Sequence, residues 1–245
     1  MNRLSPSIDL IIPVRSLADG KRRLRILLTD AQRQALNQQF LAHILALARQ
    51  LPRIGRTWVV SGCPRTRDVA HSLGACVLAE PPDTGRRGGP EARLNDALGF
   101  ALAQVRKQGA RNVLLVSSDL PFAQAEDLDM LCRLGQPRTD HTCVIATDKT
   151  GQGTNAIFIP ERHGFEFSFG PESCGRHANS ARRHGMQTHI ARISNLAHDI
   201  DTPDDYLFWR SASACLTASP TLSGGTVWMH NPPTNWPMTP LTASR

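Results

Sequence analysis

The sequence predicts an α/β fold of three layers, a mostly parallel mixed sheet with helices on both faces. Three observations predict it. Short apolar runs alternate with helical-period segments from Asp9 to Ala79, the βαβα rhythm that joins parallel strands. Asn112–Ser117 (NVLLVS), with an unbroken apolar run at 113–116, gives the strongest central-strand signal in the chain. The chain has 245 residues and no internal repeat, enough for one sizeable domain with a buried core.

Taken in order, Asp9–Val14 (DLIIPV) reads as the first strand and Arg15–Leu24 (RSLADGKRRL) as a basic loop. Thr29-x-x-Gln32 has the form of a capping box, and Leu36, Phe40, Ile44, Leu47 and Leu51 then recur at helical spacing, so 30–50 is an amphipathic helix. Thr57–Ser61 is the second strand. Arg65–Leu73 is a short helix closed by Gly74, and Cys76–Ala79 is the third strand. Glu80–Arg93 (EPPDTGRRGGPEAR) is too rich in Pro and Gly for regular structure. Pro90 opens a helix with Leu94, Leu98, Leu102 and Val105 on one face. The central strand runs directly into Ser118-Asp119-Leu120-Pro121. Asp119 thus stands at a strand C-terminus, where open α/β sheets bind ligands, although such an aspartate also caps helices. Asp127 and Asp129 fall on the next helix and read as solvated.

Thr142–Thr147 is a further strand, followed by the turn Thr150-Gly151-Gln152-Gly153. Ala156–Ile159 is a buried strand stopped by Pro160. Phe165, Phe167 and Phe169 alternate, which sets their rings on one side of an extended segment. Gly170-Pro171-Glu172-Ser173 opens a helix reaching about Arg183. A glycine turn feeding a helix N-terminus, with Thr154 and Ser173 beside it, suits a phosphate; an ordinary strand, loop and helix is the alternative. Thr188–Ile193 is the last strand. In His198-Asp199-Ile200-Asp201, the two aspartates are two apart and face one way in extended chain, so they can share a metal. Thr202, Pro203 and Asp205 start a final helix, which explains Asp204 and Asp205 through the helix dipole. The histidines at 163, 177, 184, 189 and 198 lack ligand spacing and read as structural or solvated.

Composition narrows the class. The net charge is +7, with a pI near 9.6, and the only lysines are Lys21, Lys107 and Lys149. A basic cleft for small anions and a nucleic-acid surface both fit that charge. Against nucleic acid, only 5% of residues are aromatic and none interleave with the arginines. The preference for Arg over Lys suggests a GC-rich bacterial genome. Six scattered cysteines form no Cys-x-x-Cys pair, which excludes zinc spacing and favours reduced cytoplasmic thiols. No apolar run approaches a membrane span, and the N-terminus has no signal-peptide core, so a soluble cytoplasmic protein is expected. The domain is expected at 8–210. From Ser211 to Arg245 a Ser/Thr/Pro-rich tail is either disordered or docked on a neighbour through Trp228 and Trp236.

Three separated motifs carry a resemblance: IIPVRSLADGKRRL, TNAI followed by FGPES, and HDIDTPDD. In this order they resemble the guanylyltransferase family of coenzyme F-420 biosynthesis, from about Ile8 to Trp209. The resemblance implies a Rossmann-like, GT-A-like nucleotidyltransferase fold. It also implies transfer of GMP from GTP to 2-phospholactate, phosphoenolpyruvate or 3-phosphoglycerate. It assigns Mg²⁺ to Asp119, Asp199 and Asp201, and the acceptor to Thr154, Gly170 and Ser173. Arg15, Lys21 and Asn95 would meet the nucleotide, with Lys21 and Arg23 as the catalytic cations. The sequence departs from the family where Arg15 replaces a lysine and where Arg93 replaces a glycine before Leu94-Asn95-Asp96-Ala97-Leu98. Asn95 is therefore either a nucleotide contact or a helix-surface amide.

The expected partners are GTP and the phospho-acid, with a homodimer and a downstream transferase accepting the unstable product, and neither nucleic acid nor membrane. Among acceptors, the bacterial composition puts 2-phospholactate third. Asn155 and Ser168, read as spare polar groups, lean the choice toward 3-phosphoglycerate. A molybdopterin guanylyltransferase would need a longer glycine-rich first loop, and a non-enzymatic nucleic-acid-binding protein is the rival from another class.

Overall fold

A computed structural model describes residues 8–81, 89–136, 141–162 and 164–217, the last four by backbone alone. The 82–88 part of the expected Pro/Gly/Arg loop, His163 and the tail beyond 217 lie outside the described residues.

Seven strands form one sheet: β1 (Ile8–Pro13), β2 (Ile54–Ser61), β3 (Cys76–Ala79), β4 (Asn112–Val116), β5 (Thr142–Thr147), β6 (Thr154–Ile159) and β7 (Gln187–Ala191). Their order is β3-β2-β1-β4-β6-β5-β7. All run parallel except β6, which lies antiparallel between β4 and β5. The α-helices among the described residues are α1 (Asp30–Arg49), α2 (Pro64–Ser72), α3 (Pro90–Lys107), α4 (Ala125–Gly135), α5 (Ser173–Arg183) and α6 (Pro203–Thr217).

Alternation along the strands divides the core into two layers. Leu10, Ile12, Leu114 and Val116 point to the face covered by α1, α2 and α4, among them Leu41, Ile44, Ala70 and Leu128. Ile11, Val113 and Leu115 point to the other face, where α3 supplies Leu98 and Val105 and α5 supplies Ala178 and Ala181. A third cluster sits at one end of α1. There Phe40 meets Trp209 of α6 edge-on at 5.3 Å, and Leu24, Leu36, Ile200 and Tyr206 fill in around them.

The capping box at α1 forms as the sequence predicts: Gln32 N–H donates to Thr29 Oγ1 (3.3 Å) and Thr29 N–H to Gln32 Oε1 (2.8 Å). Several boundaries differ: β2 and β6 begin earlier than expected, at Ile54 and Thr154, and β7 ends earlier, at Ala191. The basic loop contains a 3-10 turn at Arg22–Ile26, because Leu24 is drawn fully into the third cluster. Helix α6 continues through Thr217, past the boundary expected at 210/211, with Tyr206 and Trp209 packed under its first half.

The topology positions the cleft. The chain steps outward from β1 to β2 and β3, then returns through α3 to place β4 on the opposite flank of β1. The C-terminal ends of β1 and β4 therefore flank a switch point, the place where open α/β sheets leave a crevice. Because β6 is reversed, its start lies at that same end: Val116 pairs with Ala156, so Ser118 and Thr154 come level just beyond.

Candidate active site

The loop after β1 is held by α1. Arg33, fully buried, donates from Nη1 to the Gly20 carbonyl (2.6 Å), and Asn37 donates to the Leu17 carbonyl (2.8 Å). Gly20 packs so close to Asn37 that a Cβ there would meet Nδ2 at 2.6 Å. The pinned loop leaves Lys21 in the left-handed region (φ 55°), an uncommon conformation for a residue with a side chain. That conformation sends the lysine into the crevice, where only 6% of its side chain is exposed.

Lys21 Nζ pairs with Asp119 Oδ2 at the end of β4 and, at 3.1 Å, with Asp201 Oδ1. Burial by itself would lower the lysine pKa. The charges and hydrogen bonds of Asp119 and Asp201 outweigh it, so the ammonium is held above its ordinary value. Asp199 completes the group. Burial, then repulsion from Asp119 and Asp201, pushes its carboxyl up to about 6. The segment carrying Asp199 and Asp201 is tied to β4 by Ile200 N–H, which donates to the Asp119 carbonyl (3.3 Å). Asp205 lies in the first turn of α6 as expected, accepting from Thr202 N–H (2.8 Å) and ion-pairing with Lys149; burial alone would raise its carboxyl, but Lys149 and then Thr202 hold it down to about 2.

Thr154 and Ser173 also come together. Ser173 Oγ lies 3.2 Å from Thr154 Oγ1, and both residues are buried. His177, one turn further along α5, sits 3.1 Å from the same threonine oxygen through Nδ1. Gly170 has φ +117°, a conformation that favours glycine, and a Cβ there would press on the side chains of Arg176 (3.1 Å) and Glu91 (3.2 Å).

Other expectations meet a different geometry. Asn95 is folded onto the chain: it donates to the Phe169 carbonyl (3.2 Å) and accepts from Phe169 N–H (2.7 Å), clamping the approach to Gly170 rather than presenting an open amide. Asn155 is buried and spends its amide on the Leu196 carbonyl (2.8 Å), so it is not a spare polar group. The Gly151–Gly153 turn closes on Asp148, whose carboxylate accepts from Gln152 N–H (3.1 Å) and Gly153 N–H (2.9 Å). Those amides thus serve the turn and not a phosphate. Arg15 and Arg23 are exposed, and among the described residues no hydrogen bond or ion pair joins either side chain to Lys21 or its aspartates. A cavity of about 150 Å³, lined in part by Lys149 and Arg192, lies beyond the ends of β5 and β7.

The carboxylates suit a hard dication by chemistry. They offer only oxygen donors, and they outnumber Lys21, the lysine that pairs with them. Among the described residues, however, no three His, Cys, Asp or Glu side chains already stand in a metal-holding arrangement.

The profile of the guanylyl transferase CofC-like family matches residues 8–208. The chain belongs to that family. Among curated relatives, it is 35% identical over 196 residues to a phosphoenolpyruvate guanylyltransferase of Conexibacter woesei, covering 80% of this chain and 83% of the relative. It is 32% identical over 200 residues to a 3-phospho-D-glycerate guanylyltransferase of Phenylobacterium zucineum, covering 80% and 87%. Among solved structures, a putative nucleotide-diphospho-sugar transferase from Desulfovibrio desulfuricans superposes with a TM-score of 0.63 at 14% identity, over 84% of this chain and 87% of that one. Glucosyl-3-phosphoglycerate synthase from Mycobacterium tuberculosis, solved with Mn²⁺ and uridine-diphosphate-glucose, gives 0.54 at 13% identity, over 86% and 78%. These likenesses confirm the nucleotidyltransferase-type fold expected from the motifs. Neither rival reading is favoured.

For this CofC-like chain, sequence reasoning overlooked His177 and Arg33. His177 has one available signal: it lies four residues after Ser173 on one helix, directly behind the alternating phenylalanines. Arg33 has none, because an arginine in the first turn of an amphipathic helix normally reads as solvated.

Proposed function

We propose that this guanylyltransferase moves GMP from GTP onto phosphoenolpyruvate or 3-phosphoglycerate in coenzyme F-420 biosynthesis. The observation that carries the reading is the union of Lys21 with Asp119 and Asp201, beside Asp199, at the crevice into which β6 also delivers Thr154. An acceptor phosphate oxygen attacks the α-phosphorus of GTP. The bond to the β-phosphate breaks and pyrophosphate leaves with that electron pair. The acceptor's second phosphate pKa lies at about 6, so its oxygen is already anionic near neutrality and no general base is needed.

Lys21 brings a buried cation to the phosphates, and the exposed Arg15 and Arg23 lie on the same loop to meet the triphosphate. Asp119, Asp199 and Asp201 would hold Mg²⁺, which when bound supplies charge neutralisation on the phosphate oxygens. Thr154 and Ser173 offer hydroxyls to the acceptor, Gly170 lets it approach the backbone, and the N-terminus of α5 favours its negative charge. Asn95 acts indirectly by fixing Phe169 next to Gly170.

Phosphoenolpyruvate is the favoured acceptor. With the Asn155 amide committed to Leu196, one of the two polar groups that favoured an acceptor with a free hydroxyl is taken, leaving the Ser168 hydroxyl alone. Free cysteines at 63, 76, 132, 143 and 174 accord with a reducing cytoplasm. No helix among the described residues is long and apolar enough to cross a membrane. The test is incubation with GTP, Mg²⁺ and each of the three phospho-acids in separate and competing reactions, with mass analysis of products. The expected product is the GMP adduct of phosphoenolpyruvate. Dominant transfer to 2-phospholactate would reject the acceptor choice, and no transfer to any acid would reject the activity.

A further inference from the structure

His177 is wholly buried, and its ring is fixed among three others: Phe165 stacks on it at 5.9 Å, while Phe167 (6.3 Å) and Phe169 (4.8 Å) meet it edge-on. Its two nitrogens have different partners. Ser168 N–H lies 2.8 Å from Nε2, and a backbone N–H can only donate. Nε2 therefore carries no proton. In the neutral ring the proton then sits on Nδ1, 3.1 Å from Thr154 Oγ1, and that nitrogen is the donor.

Counting hydrogens gives the consequence. Thr154 and Ser173 have two hydroxyl hydrogens between them, and their mutual bond of 3.2 Å uses one. Thr154 Oγ1 receives the His177 proton, so the remaining hydroxyl hydrogen has no acceptor among the described residues. With the opposite tautomer, Thr154 would donate to Nδ1 and Ser173 to Thr154, leaving none. We propose that His177 is a positioning residue: locked as the Nδ1–H tautomer by Ser168, it obliges the Thr154–Ser173 pair to present one O–H donor to the anionic acceptor. Burial, followed by the charge of Arg176, holds the imidazole down to about 4, which keeps the ring neutral at working pH.

The inference rests on the functional reading above for the identity of the anion, and the two are separable by experiment. Ring-nitrogen NMR of the full chain labelled with ¹⁵N-histidine at pH 7 reads the tautomer directly. The expected pattern for His177 is a protonated Nδ1 and a bare Nε2; a protonated Nε2 overturns the proposal whatever the activity. Kinetics supply the second arm. His177→Phe keeps an aromatic ring but removes both nitrogens, the donor to Thr154 and the acceptor of Ser168 N–H, and it should raise the acceptor KM about tenfold with the GTP KM unchanged, the scale of one hydrogen bond to a charged group. His177→Asn places an amide N–H where Nδ1–H stood and should return the acceptor KM to within about threefold of the parent. A folded His177→Phe enzyme with an unaltered acceptor KM, or with both KM values raised alike, overturns the proposal. Should that variant fail to fold, the His177→Asn enzyme and the spectrum decide. If the parent transfers GMP to none of the acids, the functional reading falls, while the spectrum still decides the tautomer.

Discussion

At the end of β4, one ammonium faces three carboxylates; at the start of β6, next to it, Thr154, Ser173 and His177 carry no formal charge at all. The first group is poorly balanced as it stands, since Asp199 is driven toward protonation by burial and by its own neighbours. The second is closed and buried, with a single hydrogen left over. The difference separates two jobs that a nucleotidyl transfer needs. A charged centre stabilises developing phosphate charge, and its internal repulsion is relieved only when its ligands arrive. A neutral hydrogen-bonded centre holds a small acid in one orientation with little electrostatic reorganisation.

The contrast breaks most sharply at Asp199. Asp199→Asn removes a ligand and a repelled charge together, so GMP transfer should fall by about 10²–10³-fold or more, in the range seen when one electrostatic stabiliser is lost. The melting temperature should hold or rise. Steady-state rates at limiting Mg²⁺ beside thermal melts check both, and full activity would remove Asp199 from the site.

On the neutral side the sharpest reading is pH. Folded His177 is held down to about 4, below its ordinary 6.5, so between those values the unfolded chain binds a proton that the folded one does not. Stability from this group is therefore complete above pH 6.5 and is lost as pH falls toward 4, by at most about 3 kcal/mol. Urea unfolding at pH 7, 5.5 and 4 should show that slope, and His177→Phe should flatten it. An equal slope in the variant would assign the acid sensitivity elsewhere.

Asn95→Ala opens the clamp on Phe169 and should cost about 1–2 kcal/mol in the same unfolding assay, with a higher acceptor KM. An unchanged acceptor KM would confine Asn95 to the fold. The smallest effect concerns the +7 net charge. If that charge serves small anions, gel-shift titration with DNA should show only weak binding erased by salt, whereas submicromolar affinity at physiological salt would contradict it.

The frame was legible because periodicity and capping are local. Leu36, Phe40 and Ile44 name a helix face, Thr29 and Gln32 name its start, and the apolar run of β4 leads straight to Asp119. Strand direction was not legible: Ala156–Ile159 reads alike in either sense, and only pairing with β4 and β5 reveals the reversal that brings Thr154 to the cleft. The charged centre could be named from its motifs, since Asp119 ends an apolar strand and Asp199 and Asp201 stand two apart, and the fold gathers them around Lys21. Side-chain amides and histidines could not be assigned, since their partners are backbone groups distant in sequence: Asn155 ends on Leu196 and His177 on Ser168. Nor did the sequence reveal that Asp148 takes the turn amides for itself.

Arg33 gives the molecule an unexpected heritable weak point. Its guanidinium fixes the Gly20 carbonyl, and through it the backbone twist that aims Lys21, yet the position belongs to the first turn of a helix and its one aspartate partner is Asp30, not Asp119, Asp199 or Asp201. A mutational survey ranking positions by distance from the reacting atoms would overlook it. Substitution there would yield a temperature-sensitive allele, whose activity fades on warming well before the sheet melts. Activity and circular dichroism followed on one heating ramp would separate the two midpoints, and coincident midpoints would show that Arg33 serves the fold alone.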